Sequence, residues 1–178
     1  MNNKLKITLL AAFTTFMLHS ASSFAGDIAV LDIEKIAKES KAVHDIQARV
    51  SNKQEEFQKE ITKEQSKLEA EQKKLESKKS TFSKEGLEKE QKSFEKKVDA
   101  LKALVEKRQA SLKKASADSM AKVNDKMKDI IAEIAKEKQL NLIIPSSQVV
   151  FSTESLDISA EVLEKLNKKV TKIDVKFE

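Results

Sequence analysis

Apolar residues recur every seven positions along most of the chain between residues 41 and 138. Residues that repeat in this way lie on one face of an α-helix and pack against a partner helix. The first half carries two such series, offset by four residues: Val43, Val50 and Phe57, followed by Ile61, Leu68, Leu75 and Phe82. The spacing predicts a helix from about Lys41 to Ser80 with one apolar seam.

The second half of this stretch has a seam of its own, which predicts a second helix from about Lys84 to Lys138. Acidic residues in its first turns complement the positive end of the helix dipole. A phase shift near Ala115 moves the apolar stripe around the helix. The seam residues are Leu87, Phe94, Val98, Leu101, Val105 and Leu112 before the shift, and Met120, Val123, Met127, Ile130 and Ile134 after it.

Small polar residues and a glycine separate the two helices at Ser80–Gly86, which predicts the tip of a hairpin. At ~1.5 Å per residue, helices of roughly forty and fifty residues are about 60–80 Å long. A chain of this size cannot enclose such an arm, so the arm is expected to project. Glu64, Glu71 and Lys78 occupy seam positions in its outer part, which predicts weaker packing and an arm that bends. The alternative is a stiff hairpin whose seam is completed by the other helix.

Short apolar segments flank the predicted hairpin on both sides. Their patterns predict a strand at Asp27–Ile33, a helix at about Ile33–Ser40 and a second strand at Leu140–Pro145. Ser146 and Ser147 predict a turn that leads into a third strand, Gln148–Ser152.

The last segment predicts a short helix followed by an alternating tail. Ser159 is the predicted N-cap of a helix from Ala160 to about Lys169, with Val162, Leu163 and Leu166 on its buried face. Apolar and polar residues alternate in Ile173–Glu178, a pattern that fits either another strand or a frayed terminus.

A body made of these short elements buries little apolar area and leaves open strand edges, so oligomerisation is expected to stabilise it. The predicted fold class is mainly α with a small β body. The body comprises residues 26–40 and 139–178, and the long antiparallel coiled-coil arm comprises residues 41–138. The predicted core of the body and of its oligomer contact is Ile28, Val30, Leu142, Ile143, Ile144, Val149, Val150 and Phe151.

Residues 1–25 have the organisation of a cleaved secretory signal. Lys4 and Lys6 precede an uncharged, largely apolar run, and Ser23-Phe24-Ala25 predicts cleavage between Ala25 and Gly26. The apolar run is shorter than the ~20 residues of a membrane-spanning helix. The predicted signal carries two of the 34 basic residues and none of the 29 acidic ones, so the formal charge falls from +5 to +3 on cleavage.

The amino-acid composition argues against several kinds of binding and catalytic site. Charged residues make up 35% of the chain and cysteine is absent, so neither disulfides nor cysteine metal sites form. Arg49 and Arg108 are the only arginines, which weighs against specific nucleic-acid recognition. His44 has no neighbouring residues that would complete a triad, and no glycine-rich phosphate loop occurs. We therefore expect no enzyme activity and no cofactor.

In layout the chain resembles the Skp (OmpH) family of periplasmic chaperones over essentially its whole mature length. The most specific segments are Asp27–Ile33, Leu140–Ile144, Val149–Phe151 and Asp157–Leu163, in that order around a charged helical hairpin. The resemblance implies a trimer with a β-barrel-like body, from which three hairpins extend like the tentacles of a jellyfish. It also implies ATP-independent holding of unfolded outer-membrane proteins in the periplasm. Some family members also bind lipopolysaccharide through basic residues on the arms.

Lysines outnumber acidic residues near the predicted tip. A basic tip would attract acidic clients, lipopolysaccharide or an anionic membrane surface, and salt would weaken these contacts. The alternative interpretation is that these lysines only keep an exposed helix soluble. The candidate contact residues are Lys73, Lys74, Lys78, Lys79 and Lys84.

Two other functions are compatible with the sequence. A structural periplasmic coiled-coil adaptor would bind a fixed, folded partner at the tip of the hairpin. A histone-like nucleic-acid binder is suggested by the isoelectric point of about 9.2. The predicted export signal and the predominance of lysine over arginine argue against that second alternative.

Overall fold

Two long helices make up most of the structure, a computed structural model that describes residues 27–178. The predicted signal, residues 1–25, therefore lies outside the described residues. The elements are β1 (Ile28–Leu31), α1 (Ile33–Glu39), α2 (Lys41–Lys78), α3 (Lys84–Glu137), β2 (Leu142–Pro145) and α4 (Ser159–Lys169). Short 3-10 turns occupy Ser146–Gln148 and Glu154–Leu156.

Helix α2 has 38 residues and α3 has 54, and the predicted hairpin is confirmed to within two residues at each end. At ~1.5 Å per residue they are about 57 and 81 Å long. Serine side chains cap both: the Ser40 Oγ accepts from the Val43 N–H at 3.5 Å, and the Ser83 Oγ accepts from the Gly86 N–H at 3.1 Å.

Gly86 belongs to the first turn of α3, whereas the sequence placed it in the tip. A Cβ at this position would lie 3.2 Å from the Ser83 Oγ, the atom that caps the helix. The glycine therefore leaves room for the cap, and the connection between the helices is confined to residues 79–83.

The sheet has two parallel strands, with Ile28 opposite Leu142 and Leu31 opposite Pro145. The predicted third strand, Gln148–Ser152, is wrong for this chain. Pro145 ends β2, and the backbone turns at once so that the Val149 N–H donates to the Ser146 carbonyl at 3.0 Å. In a β-hairpin, the Val149 N–H would be available to pair with β2. Here it is already hydrogen-bonded within the turn.

The predicted capping role of Ser159 is also wrong. Ile158 precedes the helix, and Ser159 is its first residue. The buried Ser159 Oγ instead accepts from the Asp32 N–H at 2.7 Å, while the Asp157 Oδ1 accepts from the Ser159 N–H at 2.8 Å. This serine joins the N-terminal strand to the C-terminal helix.

Replacing Asp157 by asparagine tests the ionic part of this junction. The hydrogen bonds from Ser159 hold the pKa of the Asp157 carboxyl below its ordinary value. A carboxyl whose pKa is lower in the folded than in the unfolded state stabilises the fold at pH values above the unfolded-state pKa. This contribution disappears as the pH falls through the folded-state pKa. We expect Asp157→Asn to lower the free energy of unfolding by less than about 1 kcal/mol at pH 7, because the side chain is exposed. Urea titrations at pH 7 and at about pH 2, where the carboxyl is protonated in both states, measure the difference, and an equal effect at both pH values would contradict the ionic contribution.

The core lies where the base of the hairpin meets the short elements. The side chains of Ile36, Ile46, Ile130, Ile134 and Leu166 are almost completely buried there. Of the predicted face of α4, Val162 and Leu166 are buried and Leu163 is partly buried.

The tail forms no strand, and it is not a free end either. Ile173 is 9% exposed and belongs to the core cluster. The tail therefore packs against the base of the hairpin, and neither of the two sequence interpretations is correct.

Candidate functional site

Helices α2 and α3 run antiparallel, and ion pairs across the seam set their register. The Arg108 guanidinium donates two hydrogen bonds to the Glu60 carboxylate, at 3.0 and 2.9 Å, and Lys97 pairs with Glu71. These hydrogen bonds and the charge of Arg108 hold the pKa of Glu60 below its ordinary value. Glu71, which sequence pattern placed at an unfavourable seam position, thus has a partner on the other helix.

The seam is only partly covered along the outer arm. Val43 and Phe57 are buried near the base, whereas Ile61, Leu68 and Leu75 further out remain half-buried. Two helices alone cannot bury both sides of an apolar stripe. Open grooves therefore run on either side of the seam.

One side of the arm is charged, and we call it the charged flank. Its groove has a volume of about 530 Å³. Apolar side chains such as Leu68, Leu101 and Leu104 form its floor. The charged residues on its walls are Glu60, Glu64, Lys67, Glu71 and Lys97.

The opposite side carries glutamines among a few charged residues (Arg108, Glu76, Lys79 and Glu95), and we call it the glutamine flank. A groove of about 440 Å³ near the base and one of about 370 Å³ near the tip lie on this side. Residues four and seven apart share a helix face, which places the glutamines of α2 along one line. The glutamines that line the two grooves are Gln54, Gln58, Gln65, Gln72, Gln91 and Gln109.

Glutamine suits this position because its amide both donates and accepts hydrogen bonds without a charge. An extended polypeptide presents alternating N–H and C=O groups, which such a surface can bind whatever the sequence of the polypeptide. Leu112, Val105 and Ile61 on the groove floor add apolar contacts. The spacing of these glutamines along α2 is the signal in the sequence that indicates this flank.

Cations and aromatic rings alternate at the base of the arm. The Arg108 guanidinium lies 4.5 Å from the centre of the Phe57 ring, and the Lys53 ammonium lies 5.3 Å from the same ring. Lys53 also lies 6.0 Å from the ring of Phe177 in the tail. Such contacts contribute roughly 0.5–1 kcal/mol each at exposed sites. They connect the tail to the two helices.

The five candidate lysines of the tip are all exposed. Within residues 27–178, none of them has a carboxylate oxygen within 4.0 Å of its ammonium group. Half of the other lysines of the arm form an ion pair, as Lys67 does with Glu64 and Lys92 with Glu88. The tip therefore presents unneutralised positive charge at the far end of the arm.

The predicted body residues are divided between the inside and the surface of the single chain. Val30 is buried, and Ile143, Ile144 and Val149 are half-buried. Ile28 is 42% exposed, Leu142 50%, Phe151 84% and Val150 105%. The body of one chain thus carries several large apolar side chains that the chain itself does not cover.

The described residues contain no cluster of three or more histidine, aspartate or glutamate side chains arranged to hold a metal ion. His44 lies exposed on the first turn of α2. Among the helices of residues 27–178, none is long and apolar enough to cross a membrane.

Residues 27–166 match the model of the family described as outer membrane protein (OmpH-like). The chain belongs to the OmpH-like family. This confirms the family that the sequence resembled, and the match ends within α4, before the tail.

Two relatives are similar over nearly the whole of this OmpH-like chain. An uncharacterised protein of Aquifex aeolicus (strain VF5) is 33% identical over 156 residues, which cover 88% of this chain and 95% of that protein. A crystal structure from Caulobacter crescentus CB15, described as that of a candidate OmpH-like outer membrane chaperone, has a TM-score of 0.80 at 16% identity. The superposition covers 92% of this chain and 96% of that one, so the two share their fold.

Proposed function

We propose that this OmpH-like chain is an ATP-independent holdase chaperone of the periplasm. It binds unfolded outer-membrane proteins and prevents their aggregation during transit to the outer membrane. The observation that carries the proposal is the arm, which projects from a small body with a half-covered apolar seam and open grooves on both flanks. Membership of the OmpH-like family and the fold shared with the Caulobacter protein support it.

The working form in this proposal is a homotrimer. Residues 26–40 and 139–178 of three chains form a β-barrel-like body, and residues 41–138 of each form an arm, in the arrangement of a jellyfish. The exposed Ile28, Leu142, Val150 and Phe151 support this step, because a monomer would leave them in water. Three arms around one cavity raise the effective concentration of weak contacts.

The grooves of the arms supply those weak contacts. A client chain lies along the seam, with its apolar side chains on the groove floor and its backbone against the glutamine flank. No single contact is strong, so the client stays unfolded and is released without ATP. The exposed lysines of the tip would bind acidic client segments, lipopolysaccharide or an anionic membrane surface.

A light-scattering assay tests the proposal. The mature chain, beginning at Gly26, is added at a threefold monomer excess to a denatured outer-membrane barrel that is then diluted from urea. We expect it to suppress most of the aggregation without ATP. Unchanged aggregation would contradict the holdase and leave the structural adaptor, whose fixed folded partner would then be sought at the tip.

A short-arm variant provides the matched control. Deleting residues 58–71 and 97–110 removes two heptads from each helix at the same level, because Glu60 faces Arg108 and Glu71 faces Lys97. The tip, the body and the phase of the seam are kept, while the grooves beside the removed heptads are lost. We expect unchanged oligomer number and much weaker suppression. Equal suppression by both proteins would locate client binding elsewhere.

A further inference from the structure

The last residues of the chain lie along one side of the arm base. The Lys122 ammonium donates to the Asp174 carbonyl at 3.0 Å, and the Lys114 ammonium pairs with the Glu178 carboxylate at 2.8 Å. Between them, Phe177 lies within reach of Lys53 on α2. The tail therefore contacts both helices of the hairpin.

These contacts define an extended chain that runs from the body towards the tip, antiparallel to α3. The four residue steps from Asp174 to Glu178 span ~13 Å when extended at about 3.3 Å per residue. The eight residue steps from Lys114 to Lys122 span ~12 Å along a helix. The two lengths match, so each tail residue lies beside about two residues of α3.

The tail presents one apolar edge to the arm. Ile173 is buried and Val175 and Phe177 are half-buried, whereas Asp174, Lys176 and Glu178 are exposed. The chain forms no strand pairing in this segment. Extended segments with this alternation are the building blocks of outer-membrane barrels, whose strands alternate apolar and polar side chains.

The tail ends where the open groove of the charged flank begins. Phe177 approaches Lys53, and the next residue of the same face of α2, seven positions on, is Glu60 at the edge of that groove. The path that the tail follows at the base thus continues as an unoccupied groove along the arm.

We propose that the base of the charged flank is a binding site for extended segments with alternating apolar side chains, and that the tail Asp174–Glu178 occupies it in cis. The inference rests on the proposed function and names the class of client segment that the arm binds. A barrel strand enters the same path after displacing the tail. Occupancy by the tail then keeps the site covered until a client arrives.

The strength of the tail contacts fits displacement. The Lys114–Glu178 ion pair and the Lys122–Asp174 hydrogen bond are exposed, and exposed pairs contribute little to stability. Ile173 belongs to the core cluster, whereas Val175 is only partly buried against its edge. The segment beyond it is therefore able to leave the arm while Ile173 stays buried.

Binding of two synthetic peptides to the mature chain and to a variant that ends at Ile173 tests the proposal. One ten-residue peptide alternates Ile, Val and Phe with Asp and Lys, and the other has the same composition with its apolar residues grouped together. Because a bound tail reduces apparent affinity by the fraction of open sites, we expect truncation to tighten binding of the alternating peptide about three- to tenfold. Fluorescence anisotropy at one ionic strength measures Kd, and circular dichroism checks that the helices are intact.

A tethered variant gives a second measurement that does not depend on truncation. The chain has no cysteine, so Lys114→Cys with Glu178→Cys allows one flexible thiol cross-linker to hold the tail in place. Cross-linking is expected to weaken binding of the alternating peptide at least threefold relative to the same protein before cross-linking.

Equal Kd values for the full, truncated and cross-linked chains would overturn the inference, as would equal affinity for the two peptides. If the full chain suppresses aggregation in the light-scattering assay but these Kd values are equal, only the tail proposal fails. If suppression is absent while truncation still tightens peptide binding, the peptide site stands and the holdase proposal fails.

Discussion

Aspartate at both Val150 and Phe151 is expected to convert the proposed trimer of the mature protein to a monomer. These two side chains are 105% and 84% exposed in the single chain. In the proposed body they lie between chains, where an unpaired carboxylate loses its hydration at a cost of several kcal/mol. Two such residues in each of three chains exceed what the remaining apolar contacts of a small body can offset. Light scattering coupled to size-exclusion chromatography measures the mass.

The control carries the same charge on neighbouring residues. Thr153 and Ser155 are exposed and polar, so Thr153→Asp with Ser155→Asp adds two carboxylates to the same loop without removing apolar area. We expect this control to keep the mass of the parent protein. If the Val150 and Phe151 variant also keeps that mass, these residues are not at a subunit contact.

Truncating Leu166 to alanine is expected to lower the free energy of unfolding by about 2–5 kcal/mol, the usual range for a fully buried leucine. Leu166 is 0% exposed and packs in one cluster with residues of the N-terminal helix and of the arm base, among them Ile36, Val43 and Val123. The ion pairs that also hold α4 on α3, such as Lys165–Glu137 at 2.5 Å, are exposed and cannot replace this contact. Urea unfolding followed by circular dichroism measures the loss.

Leu163→Ala is the matched control, because it makes the same chemical change on the same helix at a partly buried site. We expect Leu163→Ala to lower the free energy of unfolding clearly less than Leu166→Ala does, because part of the Leu163 side chain is already in water. Equal losses in the two variants would show that α4 contributes through its helicity and not through the packing of Leu166.

The arm was predictable because its information is local. A seven-residue repeat and a stretch of small polar residues with a glycine between the two helices indicated where α2 and α3 begin and end, and the structure agrees within two residues. The order of the flanking segments was also sufficient to indicate the OmpH-like family, which the match over residues 27–166 confirms.

The candidate site was only partly predictable. The lysines of the tip were found because charge is visible in a sequence, and their role as contacts stays a prediction. The glutamine flank was present as a spacing of four and seven residues that the seam analysis did not use. The contact of Phe177 with Lys53 joins residues far apart in the chain, and no local pattern indicates it.

By itself the sequence determined the hairpin, its seam and the family, because these depend on periodicity and on the order of segments. The tertiary structure alone decided that Val149–Phe151 forms no strand within one chain, that Ser159 joins two distant segments, and that the tail lies on the arm. Strand pairing, buried hydrogen bonds and the path of a terminus depend on which partner is nearby in space. For Gln148–Ser152 that partner is missing within the described chain, since the backbone turns after Pro145 and leaves the apolar side chains in water.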